Sequence, residues 1–144
     1  PINEDWQVLL VDTLGELGAW WGAADIAFVG GSRGSRGGQN MIEPAAYGAA
    51  VCFGPNTRNF RDVVQRLLER EAAQIVESEH DLFQFVSQSI KSPEGAAEMG
   101  QRAQELVRMQ QGATDRTLRG MEQLLGENAI EMPASDQQDT VRAA

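Results

Sequence analysis

A glycine-rich stretch between Val29 and Pro55 is the part of the sequence best suited to holding a small ligand. It reads VGGSRGSRGGQNMIEPAAYGAAVCFGP, with a cluster of glycines ahead of a helix predicted to begin at Asn40. The missing Cβ atoms leave backbone N–H groups accessible, and the helix start adds unpaired N–H groups and the positive end of a dipole. A phosphate is the ligand that this arrangement favours. A flexible connector is the alternative, but the position between two apolar strands, directly before a helix, favours a binding loop.

The predicted helix start, Asn40-Met41-Ile42-Glu43, has two interpretations. In a capping box, Asn40 is the N-cap and Glu43 reaches back to its backbone N–H. Alternatively, Glu43 accepts hydrogen bonds from ribose hydroxyls while the N-terminal amides hold phosphate. The spacing alone favours the cap slightly, and the two interpretations are compatible until a ligand competes for Glu43.

Leu14-Gly15-Glu16 is a second candidate group, because it follows an apolar run on the same predicted sheet edge. By itself it is also typical of a helix start with an acid in the first turn. Arg33 and Arg36 are either solvated loop charges or partners of a phosphate or carboxylate. The formal net charge of −9 argues against binding to nucleic acid, which requires a basic face. Arginines nevertheless outnumber acids between residues 31 and 70, which suits a small anion.

Several catalytic and metal-binding patterns are absent from the sequence. It contains neither G-x-x-x-x-G-K-[ST] nor G-x-G-x-x-G. Cys52 and His80 are the single cysteine and the single histidine, so no usual zinc set exists. We interpret Cys52 as a buried, inert thiol in a reducing compartment and His80 as an exposed residue at a helix start. The residues therefore predict binding, with no catalyst, metal or cofactor.

Short apolar runs alternate with amphipathic segments, which indicates an α/β fold: a Rossmann-like parallel sheet with flanking helices and a helical C-terminus. The predicted strands are 7–11, 26–29, 49–53 and 73–76. The predicted helices are 17–24, with Trp20 and Trp21 on or near its buried side, then 40–47, 59–71, 81–90, 94–110 and 114–125. Ligands of such sheets bind at the carboxyl ends of the strands. Three loops leave those ends: 13–16, 30–39 and 54–60.

The sequence predicts a piece of a longer protein. It begins at Pro1 and enters an apolar run almost at once. No run approaches membrane-spanning length and no signal-peptide pattern occurs, so we expect this piece to be soluble. Residues 1–126 are predicted to be part of one domain, and 127–144 to be a mobile tail.

Several separate blocks, in order, closely resemble the 3-deoxy-D-manno-octulosonic acid (Kdo) transferases of lipopolysaccharide synthesis. The blocks are VDTLGEL (11–17), ADIAFVGGS (24–32), RGGQNMIEP (36–44), GPNTRNF (54–60) and QQGA (110–113). The resemblance covers roughly residues 7–125. It implies the C-terminal half of a GT-B glycosyltransferase, whose C-terminal domain binds CMP-Kdo and whose N-terminal domain takes a lipid A precursor. It implies no metal in the transfer step.

The resemblance also assigns site residues. The family's CMP contacts fall on Leu14, Gly15 and Glu16 and on Asn40, Met41, Ile42 and Glu43, with Glu43 as a ribose ligand and the amides of residues 38–41 as phosphate donors. A phosphate or sugar loop is implied at Arg36, Gly37, Gly38 and Gln39. Two positions depart from the family: Gln39 stands where histidine is frequent, and Arg33 where an apolar residue is common.

The family's catalytic carboxylate lies in the N-terminal domain, so we expect this chain alone to be inactive. The family implies work at the cytoplasmic face of the inner membrane, with membrane contact only through that other domain. Another GT-B transferase that uses a UDP- or GDP-sugar, or a non-catalytic nucleotide-binding module, is the alternative.

Overall fold

A computed structural model describes residues 7–125 of the chain. The chain divides between Gln110 and Gln111 into two compact units, and the sheet lies entirely in the first. The predicted tail at 127–144 falls outside the described residues.

The sheet of the first unit has three parallel strands in the order β1-β2-β3. Their bounds are Ile26–Val29 for β1, Ala50–Phe53 for β2 and Ala73–Ile75 for β3. All three were predicted, β1 with its exact bounds. The parallel Rossmann-like sheet is therefore confirmed, and its carboxyl ends lie at one edge.

Six α-helices within residues 7–125 follow the predicted pattern, with ends shifted by a few residues. They are α1 (Leu17–Gly22), α2 (Ile42–Tyr47), α3 (Arg61–Glu69), α4 (Glu79–Lys91), α5 (Pro93–Gln110) and, in the second unit, α6 (Ala113–Leu125). A short 3₁₀ turn, Arg58–Phe60, precedes α3. Pro93 begins α5 because a proline at the first helical position loses no hydrogen bond.

The two faces of the sheet bury different side chains, because successive residues of a strand point to opposite sides. One face packs Val29, Val51 and Phe53 against α2, α3 and α5. The other face packs Ala50 and Cys52 against Val76 and against Phe85 of α4. Helices therefore cover both faces, as predicted.

Helix α5 approaches the end of α2 unusually closely. A Cβ atom at Gly100 would collide with the carbonyl group of Gly48, so the contact requires glycine. Two side chains of the same helix fasten it to neighbouring backbone: Gln104 Nε2 donates to the Ala46 carbonyl at 3.0 Å, and Arg102 Nη2 donates to the Glu71 carbonyl at 2.7 Å.

The prediction of a strand over residues 7–11 is wrong in this structure. The segment is irregular, and Val8 and Leu10 are 85% and 86% exposed. A buried parallel strand needs a hydrogen-bonded neighbour and cover on both faces, and no described element supplies them here. The apolar run itself does not create those neighbours, so the described sheet has three strands instead of four.

The prediction that both tryptophans of α1 lie on or near its buried side is confirmed for Trp21 and wrong for Trp20. Trp20 is 41% exposed, and α1 has no fully buried residue. Trp21 is partly buried and packs against the core cluster. Gly18 and Gly22 of α1 instead pack on the ring of Tyr47 in α2, with a Cβ at either position 3.5–3.7 Å from ring or hydroxyl atoms.

Cys52 is fully buried in β2, and burial raises the pKa of its thiol to about 12. The thiol is therefore protonated at neutral pH and unreactive, as the sequence predicted.

We expect a thiol reagent at pH 8 to leave Cys52 of the folded protein unlabelled, and to label one thiol per chain in denaturant. Rapid labelling without denaturant would contradict this burial.

Asp81 closes a capping box at the start of α4. Ser78 Oγ accepts from the Asp81 N–H, and Asp81 Oδ2 accepts from the Ser78 N–H at 2.9 Å. The hydrogen bonds with Ser78, through its side chain and then its backbone, lower the pKa of Asp81.

A carboxyl group whose folded pKa is depressed stabilises the fold above its unfolded pKa, and this contribution is lost as the pH falls through the folded pKa. We therefore expect Asp81→Ala to be less stable than the wild type at pH 7, and the difference to shrink below about pH 4. Urea unfolding at several pH values measures it. Glu79→Ala, which removes an acid from the same helical turn, is the control. A difference that does not change with pH would contradict the capping role.

Candidate functional site

The loops that follow β1 and β2 meet at the carboxyl edge of the sheet. We call residues 30–39 the glycine loop and residues 54–60 the clamp loop. Ser32 joins them: its buried Oγ donates to the Val29 carbonyl at 2.6 Å and accepts from the Gly54 N–H at 2.8 Å. A Cβ at Gly54 would lie 2.6 Å from the Ser32 carbonyl oxygen, so only glycine permits this approach.

Further hydrogen bonds run from the clamp loop to carbonyl groups of the glycine loop. Two come from backbone N–H groups: Asn56 donates to Ser32 at 2.8 Å and Asn59 donates to Gly37 at 3.1 Å. Three come from side chains: Arg58 Nη2 donates to the Ser35 carbonyl at 2.9 Å, Asn59 Nδ2 to the Arg36 carbonyl at 3.0 Å and Asn56 Nδ2 to the Arg33 carbonyl at 3.5 Å. The two loops therefore form one hydrogen-bonded structure.

Gly37 and Gly38 are required by the conformation of the loop. Both have a φ of 86°, in the left-handed region that favours glycine. A Cβ at Gly37 would lie 2.7–2.9 Å from side-chain atoms of Arg58 and Asn59. The space that the sequence suggested for a ligand at Gly37 is thus filled by the clamp loop.

Two of the amides that the resemblance implied as phosphate donors are already bonded within the chain. The Gly38 N–H donates to the Gly31 carbonyl at 3.0 Å, and the Gln39 N–H donates to the Gly30 carbonyl at 3.1 Å. Both amides are occupied because the glycine loop closes on itself in a short ladder, so their role as phosphate donors stays a prediction. This pairing could not be read from the sequence.

The start of α2 differs from the predicted capping box. The helix begins at Ile42, and Met41 occupies the N-cap position without a side-chain bond. Asn40 lies one residue earlier: its Oδ1 accepts from the Ile42 N–H at 3.1 Å, and its Nδ2 donates to Glu43 Oε1 at 3.0 Å. Such a local turn competes with the helical cap. Glu43 is exposed and is oriented by Asn40 instead of by the backbone.

Met41 and Ile42 contribute differently from the two polar residues beside them. Met41 is fully buried in the core cluster, so it presents no exposed surface at the site edge. Ile42 is half-buried. Asn40 and Glu43 are therefore the side chains of this group that a ligand could reach.

The Leu14-Gly15-Glu16 group lies at the start of α1, which packs beside α2. Leu14 is 100% exposed, and Gly15 has a φ of 89° with no atom within 4 Å of a Cβ built on it. Glu16 Oε2 accepts from Thr13 Oγ1 at 2.7 Å. Among residues 7–125, no described hydrogen bond joins this group to Asn40 or Glu43, so its place in the site stays a prediction.

Charge and metal chemistry at this edge agree with a small anionic ligand. Arg33, Arg36 and Arg58 are all exposed on the two loops. Within residues 7–125, no group of histidine, cysteine or acidic side chains could hold a metal ion. None of the helices in the same range has the length and hydropathy of a membrane span.

Sequence reasoning did not single out Ser32, Arg58 or Asn59, which hold the two loops together. The available signals were the serine directly after Gly30-Gly31 and the polar residues that follow the Gly54 turn. Both were noted as parts of loops, but the pairing between loops 22 residues apart required the structure.

The parallel sheet, with a glycine-rich loop at its carboxyl edge, defines a Rossmann-like α/β domain. The chain is 39% identical over 119 residues to a 3-deoxy-D-manno-octulosonic acid transferase of Bordetella pertussis, and 38% identical over 117 residues to that of Haemophilus influenzae. It belongs to the Kdo transferase family. The matches cover 83% and 81% of this chain but only 28% and 27% of the relatives, so it spans about a quarter of their length.

A solved structure agrees with this assignment. The C-terminal CMP-Kdo binding domain of WaaA from Acinetobacter baumannii superposes with a TM-score of 0.64 at 26% identity, covering 67% of this chain and 51% of that domain. No protein-family model matches the chain.

Proposed function

We propose that this chain is the CMP-Kdo-binding part of a glycosyltransferase that transfers Kdo from CMP-Kdo to a lipid A precursor. The observation that carries the proposal is the likeness, in both sequence and fold, to a domain solved as a CMP-Kdo binding domain. The curated relatives of the chain are Kdo transferases. Residues 1–126 are proposed to form part of this nucleotide-sugar domain.

The proposed ligand contacts are those that the family resemblance assigns. Glu43 would accept hydrogen bonds from the ribose hydroxyls; its exposure and its orientation by Asn40 support this role. Met41 and Ile42 are proposed to contact the nucleotide through their backbone, which at the buried Met41 would first have to become accessible. Leu14, Gly15 and Glu16 would complete the site, and their exposure leaves them accessible to a ligand.

The phosphate and sugar would lie against Arg36, Gly37, Gly38 and Gln39. The exposed arginines support an anionic ligand here, but the Gly38 and Gln39 amides would have to exchange their present partners before they could donate to it. Gln39 could still donate through its side-chain amide. Unlike a histidine, however, the amide cannot take up a proton and become charged near neutral pH.

The remaining parts of the reaction are proposed to lie in another domain. The catalytic base, the lipid acceptor site and the contact with the cytoplasmic face of the inner membrane would belong to that domain, and this chain alone would be inactive. Mixing the chain with CMP-Kdo and a lipid A precursor should then give no product.

Calorimetric titration with CMP, with UMP and GMP as controls, tests the proposal once circular dichroism has confirmed that the chain is folded. Selective binding of CMP is the expected result. Preference for UMP or GMP would instead favour a transferase of another sugar nucleotide. If the folded chain binds none of them, a longer version extended at its N-terminus should be titrated, and failure of that version as well would overturn the proposal.

A further inference from the structure

The hydrogen bonds between the two loops all have the same direction. Apart from the Gly54 N–H, which donates to Ser32 Oγ, every bond described from the clamp loop to the glycine loop ends on a carbonyl oxygen, and no described glycine-loop amide donates in return. The acceptors are the carbonyl groups of Ser32, Arg33, Ser35, Arg36 and Gly37. The clamp loop therefore holds one edge of several successive peptide groups.

This direction determines where the opposite edges point. None of the described peptide bonds is cis, and in a trans peptide the N–H points away from the C=O of the same planar group. Because Arg58 holds the Ser35 carbonyl at 2.9 Å, the Arg36 N–H of that peptide group points away from the clamp loop. Arg36 is exposed, so this donor faces the outside of the loop.

Asn59 fixes the turn that makes this orientation possible. It bonds to both carbonyl groups around Gly37: through its side chain to Arg36 at 3.0 Å and through its backbone to Gly37 at 3.1 Å. Gly37 lies between them in the left-handed region, in contact with the Asn59 side chain. If this turn relaxed, the preceding peptide groups could rotate and present a carbonyl oxygen, which repels a phosphate.

We propose that Asn59 and Arg58 are positioning residues of the proposed nucleotide-sugar site, which hold the carbonyl edge of the glycine loop inward so that its Arg36 amide faces the phosphate of the ligand. The inference rests on the proposed function. Neither side chain touches the ligand in this arrangement. Their effect is to preorganise a donor, which lowers the cost of ordering the loop on binding.

Asn59→Ala is the variant that tests the inference, since it changes no charge. CMP and cytidine are titrated in parallel, because only CMP carries the phosphate. The expected result is CMP binding weakened about tenfold and cytidine binding unchanged. Gln104→Ala is the matched control: it also removes a side-chain amide that donates to a backbone carbonyl at 3.0 Å, but outside the two loops. We expect it to lower the unfolding temperature and leave both affinities unchanged.

If Asn59→Ala does not fold, Arg58→Met is the second variant. Arg61→Met is its control for the loss of charge, because it removes an exposed arginine at the start of α3. The inference predicts a larger loss of CMP affinity for Arg58→Met than for Arg61→Met.

Equal CMP affinities of the wild type and Asn59→Ala would overturn the positioning role and leave the proposed function standing. A parallel loss of cytidine affinity would also overturn it, because the effect would then not concern the phosphate. If the wild-type chain binds CMP no better than cytidine, the chain has no phosphate site, and this result would overturn the inference. A wild-type chain that binds neither would count against the proposed function.

Discussion

Gly100→Ala is expected to destabilise the first unit by about 2–4 kcal/mol. The added methyl group would collide with the Gly48 carbonyl and lie close to the Ala49 carbonyl carbon. These are backbone atoms, which cannot rotate away as the end of a side chain can. Relief would require α5 to move off the end of α2, which would separate Ala103 and Leu106 from the core cluster that they share with β1 and β2.

Urea unfolding followed by circular dichroism measures this effect. Gly95→Ala is the control on the same helix, because its Cβ would meet only the Ser92 side chain, at 3.0 Å from Oγ, and that hydroxyl can rotate. Alanine is also the better helix former, so we expect no loss greater than about 0.5 kcal/mol at Gly95. Similar unfolding curves for Gly100→Ala and the wild type would show that the α2–α5 contact is looser than described.

Glu43→Ala is expected to weaken CMP binding by about 1–3 kcal/mol, because the ribose hydroxyls would lose their charged acceptor. The effect on stability should be small, within about 0.5 kcal/mol. The structure explains why: Glu43 makes an exposed side-chain bond with Asn40 and no bond to the helix backbone, so its removal costs no helix cap.

Glu69→Ala provides the matched control for this variant. Glu69 is likewise exposed and accepts from a side-chain amide on its own chain, Gln65 Nε2 at 2.8 Å, but it lies at the end of α3. Calorimetry should show wild-type CMP affinity for Glu69→Ala. If Glu43→Ala binds CMP with wild-type affinity, Glu43 is not a ligand of CMP. Its pairing with Asn40 would then be its only described interaction.

The sheet and most helices could be predicted because their signals are local. Ile26–Val29 is a short apolar run between an acidic residue and a glycine pair, and its bounds were predicted without error. Val64 and Leu67 occur at helical spacing and are buried as expected. The run at residues 7–11 has the same local signal, but burial of a strand depends on neighbours, and local sequence does not reveal whether they are present.

The site was harder to predict because its details depend on contacts between distant residues. The glycine loop was correctly located at the carboxyl edge of the sheet. Glycine is needed at Gly37, however, because the clamp loop packs against it and because the turn there has a positive φ. The predicted cap at Asn40 was displaced by one residue, since an asparagine side chain can bond to either of two nearby amides. Family resemblance supplied the ligand class, which neither composition nor spacing could provide.

The position of α5 in the chain has a consequence for protein synthesis. Its Ala103 and Leu106 complete the core face formed by β1, β2 and α2, although those elements leave the ribosome some 50 residues earlier. Until α5 emerges, the part of this apolar face that α5 covers stays exposed, and exposed surfaces of this kind attract chaperones and promote aggregation. We therefore expect the nascent chain to become resistant to proteases late in synthesis, when the last turns of α5 have left the ribosome.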